Sequence, residues 1–344
     1  MSLKTYFLHP DQFDRYYNCT AYDVDSIALD QRRHPFRAIV FCVLGVFYEL
    51  IYLPCLYAIW KCSKKHAQQA SCYRLMFLLG LSDVVGIMLT TFFVGYFTFQ
   101  GFVFCSRPLL FYICCVAGTY LWVLATTTAL ILALNRCIVI YNPHTAERLF
   151  KGAMRISVWL LIPWTCSSLF CWFVPPVIYS SISSYFYFNP HQHYLPEEGH
   201  YSVVHWFYNW FVVVAIFTIY TIFATLFSKK YYAKGSTLRG NRKLLRELST
   251  FLQVLVTCSF VTLAALCYVY QDYLQNFAFP AMIGYICYQG SPAIIYLCMN
   301  QSIRNILVNS CNALDIILSK ARISNIWTTS NNNHHEGYIS STLN

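Results

Sequence analysis

Charge is what this sequence has least of. Of its 344 residues, 11% are Asp, Glu, Lys or Arg and 57% are hydrophobic, whereas a soluble domain carries about 25% charged residues. One water-soluble core would not hide that much apolar surface, so an ordinary globule is excluded and the excess must face lipid. Other absences narrow the chemistry. No C-x-x-C occurs and no Cys/His cluster has zinc spacing, so no metal site is expected. No H-E-x-x-H, G-x-S-x-G or paired intramembrane Asp motif is present, so no enzyme, catalytic residue or cofactor is expected. Residues 1–36 are polar and lack an apolar core segment, so no cleavable signal peptide is expected and the first apolar run doubles as insertion signal. No internal repeat of the transporter kind is visible.

What is present is a series of apolar runs near 38–60, 75–99, 108–134, 156–180, 204–227, 248–270 and 277–299. Each is long enough to cross a bilayer as a helix, which satisfies its own backbone in lipid. An all-α bundle of seven transmembrane helices is expected. It lies over 38–299, after a tail over 1–37 and before an amphipathic juxtamembrane helix over 300–320 and a disordered tail over 321–344. Pro163 interrupts the fourth run, which ends at Pro175 and Pro176, and Pro292 interrupts the seventh. The sixth and seventh runs are separated by a short connector near Gln271–Asn276 carrying Asp272, costly at bilayer depth. The 28 Tyr and 27 Phe gather near run ends, where amphipathic rings favour the headgroup layer.

The net charge of +10 reads as membrane orientation, since the cations sit between apolar runs rather than on one soluble face, and nucleic acid is not an expected partner. With the N-terminus outside and the C-terminus inside, 18 of the 24 Lys and Arg fall in inner segments, seven of them between Lys229 and Arg246. That is the expected cytoplasmic bias. Arg32, Arg33 and Arg37 oppose it at the first run. Asn18-Cys19-Thr20 is an N-x-[ST] acceptor, placing a glycan at Asn18 on the outside. Ile303, Ile306, Leu307, Cys311 and Leu314 recur at helical spacing, as in a helix lying on the membrane face. Cys311 reads either as a palmitoylation site or as a plain interfacial cysteine.

Charges inside the runs are functional candidates by default. Asp83 reads as a conformational switch or as a satisfied polar knot, Glu49 is open in the same way, and Arg136 reads as a latch or as a snorkelling cation. The Leu79…Asp83 pattern, Arg136 ending the third run, Trp159 in the fourth and Pro292 in the seventh resemble G-protein-coupled receptors. Further segments resemble the nematode serpentine chemoreceptors of class T. They are Tyr17-Asn18-Cys19 with Tyr22-Asp23; Arg32-Arg33-His34; Leu53-Pro54-Cys55; Phe104-Cys105-Ser106; Asn135-Arg136-Cys137; Asn189-Pro190-His191; and Ile294-Ile295-Tyr296-Leu297 leading to Ile303-Arg304. The resemblance runs from about 17 to 305. It implies a receptor in the plasma membrane of sensory cells, sensory cilia included, with a small external chemical as ligand and a heterotrimeric G protein as partner. Carried over, Asp83 is the second-span acid and Arg136 the third-span arginine, with Pro292 and Tyr296 as further switch residues.

The departures from the broad receptor pattern are specific. Asn135 stands where an acid usually precedes the arginine, so that ion pair is absent. Ser291-Pro292 replaces Asn-Pro, and Tyr296 is four residues past the proline rather than three. No C-W-x-P occurs in the sixth run. Residues 181–203 hold no cysteine, so the usual disulfide to that loop cannot form. Cys19 with Cys105 is the pairing the sequence offers instead, tying the tail over the outer mouth.

The ligand would sit toward the outer ends of the helices. Thr119, Trp122, Trp206, Asn209, Tyr268 and Gln289 are the candidates, with ordinary packing the competing reading of each. Aromatic walls with a few amides suit a small, largely neutral molecule. No acid stands on the outer third run to hold an amine, and no lysine in the seventh run could form a retinal Schiff base. His191 and His193 read as a solvated loop rather than a metal site. A channel or transporter is the main alternative, but only Glu49 and Asp83 lie at depth to line its path. A seven-span channel of inverted orientation would leave Asn18 inside and unmodified.

Overall fold

The computed structural model describes residues 2–20, 22–65, 70–150, 152–192, 202–233, 252, 255–256, 258–267, 270 and 277–312. Two short helices, α1 (Leu3–Leu8) and α2 (Pro10–Tyr16), and the single turn α3 (Leu29–Arg32) precede the first long helix α4 (Pro35–Lys65). The second crossing is α5 (Ala70–Ile87), which passes through a π-helical turn at Met88–Phe93 into α6 (Val94–Gln100). Then follow α7 (Pro108–Tyr141), α8 (Pro143–Phe150), α9 (Ala153–Phe173) and the hairpin β1 (Ile178–Ser180) and β2 (Tyr185–Tyr187). The chain continues with α10 (Val203–Ala233), the described part of the sixth crossing α11 (Cys258–Cys267), α12 (Ala278–Met299) and α13 over 301–312.

Six of these helices are long and apolar enough to cross a bilayer, and α11 is a shorter apolar one. They are apolar all round, so one face packs inward while Leu50, Leu161 and Phe217 stay exposed, as a lipid-facing stripe requires. Small residues bring the helices close: a Cβ on Gly290 would strike the Tyr48 ring, and one on Gly86 would strike the Gln289 amide at 2.5 Å.

Each proline inside a crossing withholds an N–H from the carbonyl four residues earlier. At Pro292 that carbonyl is Tyr288 O, and the Ser291 hydroxyl donates to it at 3.0 Å. The fourth crossing is shorter than the expected 156–180. It ends at Phe173, before Pro175-Pro176, and Ile178–Ser180 form strand instead of helix. The first, second, third and fifth helices run past the expected bounds. Between the third and fourth, Asn142 Oδ1 accepts from the His144 and Thr145 amides at 2.9 and 3.3 Å, capping α8. Trp159 then donates to Leu149 O at 3.1 Å and closes that helix against α9.

The segment before Pro35, expected as a polar tail, folds onto the bundle end that carries the hairpin. Cys19 and Cys105 are bonded, with their Cα atoms 5.5 Å apart. Tyr17 packs on Phe104 and Tyr112. Burial pushes the Tyr16 phenol up to about 12 and Tyr17 well above its usual value. Gly101 ends α6 in the left-handed region, φ 72°, and its carbonyl takes the Arg32 guanidinium at 3.3 Å. A side chain at Gly101 would be strained by that φ and would crowd Arg32 and Arg33.

The hairpin pairs Ile178 with Tyr187, Tyr179 with Phe186 and Ser180 with Tyr185, and both strands are buried throughout. Strand β1 packs on α7 and β2 on α12. Tyr179 and Thr98 share a hydroxyl hydrogen bond of 2.5 Å. The loop between the strands is held from the N-terminal side: His34 Nε2 lies 3.0 Å from Ile182 O, and Arg37 donates to Ser183 O at 3.3 Å and Ser184 Oγ at 3.2 Å. Those contacts secure Ser184 in its left-handed conformation, φ 61°.

Candidate functional site

Two polar clusters occupy the bundle interior. The first lies between α7, α10 and α12. Trp122 donates its indole N–H to Asn209 Oδ1 at 3.2 Å, and its ring stands 5.9 Å from Tyr285 and 5.5 Å from Tyr288. One turn along α7, the Thr126 hydroxyl is 2.6 Å from the Tyr208 hydroxyl, which also reaches Thr127 at 3.2 Å. Phe170 of α9 packs against both Tyr208 and His205, and Phe188 of the hairpin closes over His205. Phe186 reaches Tyr285 at 6.4 Å, so the hairpin forms one wall of this cluster.

The second cluster joins the first two crossings to α12. Asp83 is 2% exposed and accepts the Tyr52 hydroxyl at 2.6 Å. In the π-helical turn, the Thr90 hydroxyl lies 2.7 Å from Gln289 Oε1 and 2.8 Å from Gly86 O, its one proton shared between them. Tyr296 is buried further along α12. At the far end of the bundle the Arg136 guanidinium donates to the Cys72 thiol. Neighbouring Asn135 is 1% exposed, and its side-chain amide finds no partner among the described residues. The Cys137 thiol reaches Ile219 O at 3.5 Å, tying α7 to α10.

Of the candidates picked from sequence, Trp122 and Asn209 are in direct contact, and Thr119 and Gln289 are buried on α7 and α12. Thr119 bonds its own helix at Cys115 O, 3.0 Å, and Gln289 is committed to Thr90. Trp206 is not brought in: its ring meets Phe207 and Trp210 on its own helix. Tyr268 lies outside the described residues, as do His193 and most of Lys229–Arg246. His191 is buried instead of solvated, 5.4 Å from the Tyr22 ring. It lies close to Cys19 and Cys105, whose sulfurs are spent in the disulfide and offer no thiolate to a metal. Glu49 is half-buried, with Oε1 unpartnered among the described residues. Asn18 is exposed, and its Oδ1 accepts from the Thr20 amide at 2.9 Å and hydroxyl at 2.8 Å. Sequence reasoning missed Tyr52, His205, Tyr208, Tyr285 and Tyr288. Polar-tipped rings in otherwise apolar runs were the available signal, but 28 tyrosines made it unselective.

Polar rings and one acid enclosed by apolar helices, with an arginine at the end of the third, define a membrane protein of the seven-helix receptor class. The crystal structure of squid rhodopsin has the same fold. It aligns with a TM-score of 0.58 over 80% of this chain and 87% of that one, at 14% identity. Among curated proteins, "Serpentine receptor class T-55" of Caenorhabditis elegans is 25% identical over 270 residues, 76% of this chain and 70% of the relative. Residues 1–319 match the profile of the serpentine type 7TM GPCR chemoreceptor Srt, and the chain belongs to that family.

Proposed function

We propose that the chain binds a small, largely neutral external chemical and activates a heterotrimeric G protein by helix rearrangement. It acts from the plasma membrane, with its N-terminus outside. The observation that carries this reading is the Trp122 contact, where one indole touches Asn209 of α10 and two tyrosines of α12. A molecule that displaces any of these partners changes how three helices pack at once, and packed cores respond by switching between discrete arrangements. Thr119, Trp122 and Asn209 are the ligand-contacting residues of this reading, with Gln289 transmitting to α5.

At the far end Arg136 is held by a neutral thiol, a weak acceptor, in place of a carboxylate. Releasing the arginine therefore costs little, which suits a latch. Arg136, the basic segment from Lys229 to Arg246 and the inner end of the sixth crossing form the G-protein surface. Orientation rests on the 18 cations gathered on that side and on an exposed glycan acceptor at Asn18 on the other. Asp83, Pro292 and Tyr296 act as the conformational switch between the two ends.

Cells expressing the chain, screened against small volatile and water-soluble chemicals with a second-messenger readout, test this. A response to one chemical that needs a co-expressed Gα subunit is the expected result. A ligand-gated current from purified protein in liposomes, without any G protein, would overturn it in favour of a channel.

A further inference from the structure

A cavity of about 710 Å3 lies between the second, third and fourth crossings, within the ~300–1,000 Å3 usual for small-molecule sites. It shares no lining residue with the Trp122 cluster. Its floor and walls include Leu89 of the π-helical turn, Val116 and Ala117 of α7, and Cys171 and Trp172 of α9. At its rim Val85, Leu109 and Ile113 are exposed, on a surface of the bundle that faces hydrocarbon.

One end of the crevice is roofed. Helix α1 lays Leu3, Tyr6 and Phe7 across it. Tyr6 stacks on Tyr112 with centroids 5.8 Å apart, and Phe7 on Trp172 at 6.2 Å. Lys4, on the same helix, sits 5.7 Å over the Phe173 ring. Among the described residues no charged side chain lines the cavity; its polar side-chain groups are hydroxyls, the Cys171 thiol and the Trp172 indole N–H. The Ser168 hydroxyl is already given to Trp164 O at 2.9 Å.

We infer that this crevice binds an uncharged, bilayer-soluble small molecule with a hydrocarbon body and a single hydroxyl, which enters sideways from the lipid. Three observations select that occupant. The apolar lining rejects a charged or strongly polar compound, whose desolvation would go unpaid. The α1 roof closes the end where a phospholipid would need its headgroup, and no cation lines the site to meet a phosphate. The buried hairpin lies at the axial end of the bundle, whereas the rim of the crevice presents exposed apolar side chains of the kind that face acyl chains. Tyr6, Tyr112 and Tyr120 are among the lining residues, and a phenol hydroxyl can both donate to and accept from a single alcohol group.

Occupancy has a route to the bundle interior. Leu89 lies in the π-helical turn beside Thr90, whose hydroxyl holds Gln289 of α12. A molecule pressing on Leu89 bears on that bond. This coupling rests on the receptor reading above; the binding site itself does not.

The test uses full-length protein in lipid nanodiscs and a diazirine-bearing hexadecanol as probe, with labelled peptides mapped by mass spectrometry. The expected result is saturable labelling of peptides containing Leu89, Val116–Ala117 and Cys171–Trp172, competed by excess hexadecanol. Ala117→Trp, which fills the cavity, lowers the competed labelling about tenfold. Val214→Trp, on the exposed face of α10, leaves it unchanged. Should Ala117→Trp not survive purification, Leu109→Trp at the exposed rim takes its place with the same expected loss. Labelling that does not saturate and spreads evenly over lipid-facing helices overturns the proposal, as does competed labelling that maps elsewhere or ignores both variants. None of these readouts depends on signalling, so their failure would leave the receptor reading intact.

Discussion

Tyr52 and Asp83 share a hydrogen bond of 2.6 Å across the first and second crossings, with both residues nearly sealed from solvent. Removing one partner strands the other in a low-dielectric interior. Tyr52→Phe is therefore expected to cost about 1–3 kcal/mol, read as a lower melting temperature in detergent. Asp83→Asn keeps an acceptor for the phenol and should cost less. Equal losses from the two changes would mean that the hydrogen bond is not what holds these helices together.

The Cys19–Cys105 bond closes a loop of 86 residues and fastens the N-terminal segment over the hairpin. Cys19→Ser and Cys105→Ser should each lower stability by about 2–5 kcal/mol. The double variant should cost no more than either single one, because the two residues form one interaction. Melting curves with surface-expression counts check this, and additive losses would show two independent roles.

At the Trp122–Asn209 contact, Asn209→Leu removes the acceptor that the buried indole N–H uses, at about 1–3 kcal/mol. Trp122→Phe removes the donor and retains a ring. Combining them replaces both partners by apolar groups, so the double variant should be more stable than the sum of the singles implies. Under the proposed function, each single change also moves the half-maximal ligand concentration. Unshifted responses from both would exclude this cluster as the ligand site.

Ser291 and Pro292 make a coupled pair. Ser291→Ala should cost about 1 kcal/mol, since Tyr288 O then has no donor. In a Pro292→Ala background the restored backbone N–H serves that carbonyl, and the serine change should become nearly silent. A double-mutant cycle on melting temperature measures the difference.

The crossings were legible because 20-residue apolar runs have few other uses. The same property hid their rotation. In a helix apolar on every side, Trp206 and Trp122 look alike, yet one ring stays on its own helix and the other joins three. Pairings such as Tyr52 with Asp83 depend on the relative phase of two such helices, which one sequence does not encode visibly. Residues 178–187 were extended into the fourth crossing and its loop because their tyrosines and phenylalanines suit strand and membrane helix equally. The proline pair at 175–176 was the better guide. Docking of the N-terminal segment on the bundle went unseen because Leu3, Tyr6 and Phe7 form too short an apolar stripe to stand out among polar neighbours.

The central claim is that ligand-driven helix movement is delivered through Arg136. Nucleotide exchange on a purified heterotrimeric G protein tests it most directly, with wild type and Arg136→Ala in nanodiscs and an activating chemical from the screen. The account predicts ligand-stimulated exchange from wild type and none above background from Arg136→Ala, with both proteins folded and surface-expressed. Equal stimulation by the two would contradict it.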